Sequence, residues 1–206
     1  ATLLKSIELD QAALDDLAQC CKAHGIKFPC TAFDERRIAR FIENGMDCIK
    51  IASGELTNAP ALIQAASFGV PIILSTGMAT IDEIEQALET LTRADSGPVT
   101  LLHCTSLYPA PEHVLNLRAI ASLRDRFGRP VGYSDHSDGI HIPIAATALG
   151  ATVIEKHFTL DRGLPGPDHL ASLEPDSLSQ MISAVRRTAD SLGDGVKKPS
   201  VEEEKV

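Results

Sequence analysis

The chain has 206 residues, 44% of them hydrophobic and 23% charged, with a formal net charge of −9 at pH 7 and a pI near 5.2. These values suit one globular domain with a sizeable core and exclude a disordered chain, and with no basic run longer than Arg36-Arg37 or Lys197-Lys198 they argue against a nucleic-acid or anionic-membrane surface. No apolar stretch approaches the roughly 20 residues a spanning helix needs, and five cysteines in no C-x-x-C pair predict reduced thiols in a cytoplasmic protein.

Leu14, Leu17 and Cys21 recur at helical spacing after Asp10 and predict a helix over residues 9–24, stopped by Gly25. Residues 26–33 read as a strand with Thr31 near its carboxyl end, although Pro29 lacks a ladder donor and suits an edge. Asp34 is placed to cap a helix whose apolar face is Ile38, Phe41 and Ile42. A strand at 47–52 runs into Ser53-Gly54-Glu55 and a helix from Pro60 to Phe68. The next strand, 71–75, ends in Ser75-Thr76-Gly77, after which Thr80 or Asp82 opens a helix through Leu91. Strand 99–104 leads into Thr105-Ser106-Leu107-Tyr108-Pro109 and a helix from Asn116 to Phe127. Strands at 131–134 and 153–157 enclose a further helix, and the last helix runs from Ser177 to Leu192. Residues 1–195 form one domain on this reading, with 196–206 an exposed tail or linker.

The apolar runs lack clean alternation, as expected of parallel strands buried on both faces, so the class is α/β with six βα units. A doubly wound open sheet and a (β/α)8 TIM barrel both fit that rhythm. Polar groups at the end of nearly every strand favour the barrel, whose site draws on all its βα loops, here incomplete at six units of eight.

The densest chemistry lies in Val131-Gly-Tyr-Ser-Asp-His136 and Val153-Ile-Glu-Lys-His157. Parallel neighbours would bring Ser134, Asp135 and His136 to the same edge as Glu155 and His157, where two imidazoles can meet on one divalent cation. Two satisfied loop histidines are the plain alternative. Lys50 at a strand end suits a multiply charged anion, or is paired with an acid such as Glu55. Ser53-Gly54 and Ser75-Thr76-Gly77 are equally ordinary turn sequences, Tyr108 could be a packed loop aromatic, and Asp168 after Gly166-Pro167 a turn residue.

Lys50-Ile-Ala-Ser-Gly-Glu55, Leu74-Ser-Thr-Gly-Met78, Cys104-Thr-Ser-Leu-Tyr-Pro109, Gly132-Tyr-Ser-Asp-His136, Glu155-Lys-His-Phe-Thr-Leu160 and Gly166-Pro-Asp-His169, in that order, resemble the sialic acid synthase family. The resemblance covers nearly the whole chain and implies a (β/α)8 barrel transferase. Such an enzyme condenses phosphoenolpyruvate with N-acetylmannosamine or a related N-acetylated amino sugar to a nine-carbon 2-keto acid and phosphate. By position it assigns Thr31, Lys50, Ser53, Ser106 and Ser134 to phosphoenolpyruvate, and Glu55, Tyr108 and Asp168 to the amino sugar. His136 and His157 become ligands of a divalent metal, Mn2+ or Mg2+, and Glu155 beside them either orients water, moves a proton or supports the ligands. It also implies a homo-oligomer. The family's two N-terminal strands, with an acid and a lysine of the site, and its small C-terminal antifreeze-like domain have no counterpart in this sequence. A non-catalytic barrel fragment that binds phosphate or metal, or another phosphoenolpyruvate-dependent aldol-type synthase, are the competing expectations.

Overall fold

Five short runs become strands, the first three rich in Ile, Leu and Val: β1 (Ile49–Ile51), β2 (Ile72–Ser75), β3 (Val99–Cys104), β4 (Val131–Asp135) and β5 (Ile154–Lys156). The structure, a computed structural model, describes residues 8–31 and 35–206. Each strand pairs in parallel with the next, so sheet order follows chain order. A doubly wound sheet reverses at a switch point; an unbroken succession of right-handed crossovers keeps the helices on one face and builds a barrel wall. The sheet also curls. In a flat sheet four spacings would hold β1 and β5 roughly 19 Å apart, yet Lys50 on β1 and Glu155 on β5 form an ion pair of 3.5 Å.

The helices are α1 (Gln11–Ala23), α2 (Glu35–Glu43), α3 (Ala59–Ala66), α4 (Ile81–Arg93), α5 (Ala119–Phe127), α6 (His141–Ala148) and α7 (Pro175–Ser191). Local chemistry sets several ends. Asp10 caps α1 by accepting from Ala13 N at 2.9 Å, and Asn58 caps α3, which has Pro60 in its first turn. Thr80 rather than Asp82 starts α4, through a reciprocal capping box with Glu83. Gly128, in the left-handed conformation at φ 60°, ends α5. The apolar faces of these helices meet the strands in one core containing Ile49, Leu62, Leu74, Leu91, Leu101 and Ile120, all essentially inaccessible. Truncating any such Leu to Ala would cost about 2–5 kcal/mol.

The strands expected at 47–52, 71–75, 99–104, 131–134 and 153–157 are present with slightly shifted ends. The strand expected at 26–33 is not. Among the described residues it makes one parallel bridge, Cys30 to Ile49, with Lys50 N donating to Cys30 O at 3.2 Å. Pro29 lacks a ladder donor and Ile26 is 62% exposed, so little burial supports a longer pairing. The unit count is therefore five strands rather than six among the described residues. Phe33 and the expected cap Asp34 lie outside them. Residues 193–206 are exposed, with one 3-10 turn at Glu203–Lys205. Among the described residues no helix is long and apolar enough to cross a membrane.

Candidate active site

Register decides which side chains share the concave face. Cys104, Ser134 and Glu155 stand in one cross-strand row, and by the two-residue alternation of strands Lys50, Ser75 and Leu102 lie on the same face. Helix-facing neighbours such as Ile49, Leu101 and Val131 belong to the core. The concave row is polar at its carboxyl end. Ser134 Oγ donates to Glu155 Oε1 at 2.6 Å, and the other oxygen of Glu155 faces Lys50 Nζ at 3.5 Å. Lys50 also donates to Ile51 O at 3.2 Å, and its side chain is only 13% exposed, while Glu155 remains open to solvent. A largely buried ammonium with one partly exposed partner is a ready counter-charge for an anion.

One step beyond this row, His136 and His157 face each other with ring centroids 5.2 Å apart. His136 is buried and its Nδ1 lies 2.8 Å from the carbonyl of Thr105. A carbonyl only accepts, so Nδ1 carries a hydrogen and Nε2 is the nitrogen left for another partner. The backbone of His157 is held by Leu173 N, which donates to its carbonyl at 2.9 Å. Burial first, then the neighbouring His136, holds His157 below the usual histidine range, which favours its neutral form; Asp168 and Glu155 pull the other way. Tyr108 packs against both rings, tilted at 4.1 Å from His136 and edge-on at 5.4 Å from His157, and its phenol is pushed up chiefly by burial.

These residues fit a divalent cation. Two imidazoles bound at about 2.1 Å with an angle of roughly 90–110° between them put their centroids about 4.5–5.3 Å apart, which brackets the observed spacing. The outward hydrogen bond of His136 to a backbone carbonyl is the usual orienting contact of a ligand histidine. Among the described residues no third His, Cys, Asp or Glu completes a ready-made triad. A cation here would keep its other positions for water and substrate oxygens.

Ser53 and Ser106 meet at the mouth between β1 and β3. Gly77 N donates to Ser53 Oγ at 2.9 Å, and a Cβ at Gly77 would fall 2.8 Å from that hydroxyl and against Ser106 Oγ. Only glycine lets the two serines converge. Thr31 and Glu55 stand apart: together with Lys50 they line a cavity of about 190 Å³ along β1, and Glu55 accepts from Asn58 Nδ2 at 2.6 Å. Asp168, exposed ahead of the 3-10 turn His169–Ala171, acts on His157 and Tyr108 through its charge. The structure thus gathers Lys50, Ser134, Glu155, His136, His157 and Tyr108, sets Ser53 with Ser106 beside Gly77, and leaves Thr31 and Glu55 on the flank of β1.

Three contributors are not singled out by motif reading. The Thr105 carbonyl and the Gly77 amide are backbone groups, which residue types do not advertise. The third is Lys156, buried 2.6 Å from Asp135; the sequence groups Asp135 with Ser134 and His136, but the pair lies on the opposite side of β4 and β5 from the imidazoles. Strand alternation was the available signal for it, since residues between 134 and 136 and between 155 and 157 must turn away from the site.

A chain-ordered parallel α/β sheet with a lysine, hydroxyls and paired imidazoles at the carboxyl ends of its strands defines a TIM-barrel-like protein with a strand-end site. The chain belongs to the NeuB family, which matches residues 1–197. It is 48% identical over 205 residues to the N,N'-diacetyllegionaminic acid synthase of Campylobacter jejuni and 45% identical over 202 residues to the protein of that name from Legionella pneumophila. These matches take in 98% and 96% of this chain, which spans 61% and 57% of the two relatives' length. The crystal structure of N-acetylneuraminic acid synthetase from Leptospira borgpetersenii in complex with citrate superposes with a TM-score of 0.92 at 38% identity, over 99% of this chain and 71% of that one.

Proposed function

We propose that the protein condenses phosphoenolpyruvate with an N-acetylated amino sugar, and that the sugar is the diacetamido type used for legionaminic acids rather than N-acetylmannosamine. The sugar assignment leans on the two relatives named for that product. The observation that carries the reaction class is the placement of Lys50, with Ser134 and Glu155, two residues along β4 and β5 from the facing imidazoles. An anion reader beside two cation-ready imidazoles suits a reaction that joins a phosphorylated enol to a carbonyl.

The enol's methylene carbon attacks the C1 aldehyde of the open-chain sugar, so negative charge grows on the aldehyde oxygen while C2 of the enol turns electrophilic. Water adds at C2, and phosphate leaves with cleavage of the C2–O bond. Lys50 offers a fixed positive charge to the phosphate or carboxylate of phosphoenolpyruvate, and the hydroxyls of Ser53, Ser106 and Ser134 add donors without bulk. Ser134 already donates to Glu155, which steadies that carboxylate where it can take a proton from the attacking water. Tyr108, with its phenol kept protonated, can donate to the sugar. His136 and His157 would hold a divalent cation, Mn2+ or Mg2+, which when bound supplies a Lewis acid for the growing negative charge.

The test is phosphate release with phosphoenolpyruvate and either the diacetamido sugar or N-acetylmannosamine, with Mn2+ or Mg2+ present. Release with the diacetamido sugar at the higher kcat/KM is the expected result. Preference for N-acetylmannosamine would overturn the sugar assignment, and release with neither, in a chain that binds phosphoenolpyruvate, would overturn the reaction.

A further inference from the structure

Beneath the two imidazoles lies an ion pair that contacts no solvent. Lys156 and Asp135 face each other across β4 and β5 at 2.6 Å, with side chains 1% and 0% exposed. They are register partners, and each immediately precedes one of the histidines. The contacts extend to the far flank of His136 as well. Asp135 Oδ1 accepts from Ser137 N at 3.0 Å and from Ser137 Oγ at 2.7 Å, and Lys156 Nζ also donates to Ser137 O. Lys156 therefore binds the residue before His136 and the residue after it. Through these bonds His136 is framed on both sides by the residue adjoining His157.

We infer that Asp135 and Lys156 are positioning residues that fix the spacing and orientation of the His136 and His157 imidazoles. This rests on the reading of those imidazoles as cation ligands. The physical case is one of lever arms. The strands end here, so beyond Asp135 and Lys156 the β4–β5 ladder gives way to contacts with other segments, Ala110 N to the His136 carbonyl at 2.8 Å and Leu173 N to the His157 carbonyl at 2.9 Å, and neither of these ties the two histidine segments to each other. A desolvated ion pair is a poor source of stability compared with apolar packing of the same volume. Its value is directional, because the ammonium and carboxylate satisfy three polar groups of Ser137 in one arrangement only. Loss of the frame would leave both histidines present but too loosely held to share one cation, since a site needs its supporting groups to stay within about 0.5 Å of the working geometry.

The variant that tests this is the double substitution Asp135→Asn with Lys156→Met, which removes both charges and leaves neither ion buried alone. Ser137→Ala, a milder change that deletes only one hydroxyl contact, guards against misfolding of the double variant. Mn2+ affinity is read by calorimetry, the environment of bound Mn2+ by electron paramagnetic resonance, and folding by circular dichroism. His136→Ala serves as the reference. The expected result is a circular dichroism spectrum like that of the parent, with Mn2+ affinity lowered about 10- to 100-fold in the double variant, less in Ser137→Ala, and a broadened resonance in both. Parent-like affinity and resonance in Ser137→Ala and in the folded double variant, with binding lost in His136→Ala, would overturn the positioning role and leave the metal reading intact. Parent-like affinity in His136→Ala, or no binding by the parent, would overturn the metal reading and this inference with it.

Discussion

His136 gives its Nδ1 hydrogen to the carbonyl of Thr105, 2.8 Å away, so the loop after β3 fixes the tautomer of a ring that follows β4. The same ring faces His157 after β5. A site assembled from three consecutive strand ends needs all three to keep their register.

For the metal, His136→Ala and His157→Ala are each expected to weaken Mn2+ binding by more than the roughly 10- to 100-fold that an outer contact is worth. Protons compete with metal for the imidazole, so binding falls as pH falls. Burial, then His136, keeps His157 below the ordinary histidine range, so the part of the affinity that His157 supplies is lost only as pH falls below that range. Asp168 raises the basicity of His157, and Asp168→Asn is expected to move the loss to still lower pH. Calorimetry across pH 5–8 checks both; an affinity that does not fall toward pH 5 would contradict the first.

Lys50→Met is expected to lower kcat for phosphate release by about 10²- to 10³-fold, the usual cost of one preorganised electrostatic group. Lys50→Arg should rescue little, because a planar guanidinium cannot replace a compact ammonium on a side chain only 13% exposed. The thermal midpoint should barely move. A large fall in stability with parent-like kcat would make Lys50 a structural partner of Glu155 instead.

Gly77→Ala puts a methyl 2.8 Å from Ser53 Oγ, 3.1 Å from Cys104 Sγ and against Ser106 Oγ. Overpacking of this kind costs about 1–3 kcal/mol, and the two serines should lose their convergence. Urea denaturation and titration with phosphoenolpyruvate measure the two effects. Unchanged affinity would separate the serines from the anion site.

His103 gives an acid limb to stability that is independent of metal. Its Nε2 lies 2.7 Å from the Leu115 carbonyl, and burial lowers its basicity. The unfolded chain takes up this proton near pH 6.5 and the folded chain only at lower pH. In the window between, the unfolded state binds more protons, so stability rises with pH and is lost as pH falls through the folded value. His157 has the same sign. The thermal midpoint should fall on acidification from pH 7 to pH 5, less steeply in His103→Gln; equal slopes would place the sensitivity elsewhere.

Much of this was legible in the residues. The repeated apolar run, polar end and capped helix announced six parallel strands, of which five are present among the described residues, and chain-order pairing resolved the choice between an open sheet and a barrel wall. Residues 26–33 misled because their apolar content matches a strand while Pro29 and one-sided pairing deny them a ladder. At the site, Ser134, His136, Glu155 and His157 were visible through their period of two. The contact between Lys50 and Glu155 was not, since it exists only because the sheet curls and curvature has no local signature. Nor was the separation of Glu55, whose motif neighbour Lys50 it follows by little more than one helical turn yet whose carboxylate turns to Asn58.

The shared row of Cys104, Ser134 and Glu155 also determines which accidents of sequence this protein can survive. Adding or deleting a residue in a helix or its flanking loop is absorbed before the next strand begins, so drift in length can accumulate there without reaching the chemistry. A single-residue slip within β4 has no such refuge. It would exchange the faces of the strand, turning Ser134 and His136 toward the helices and aiming Tyr133 and Asp135 inward. The hydroxyl would leave Glu155, the imidazole would leave its partner, and a second carboxylate would stand on the face that holds Lys50 and Glu155. Insertions among natural relatives should therefore cluster between strands and stay out of the few residues on either side of this row.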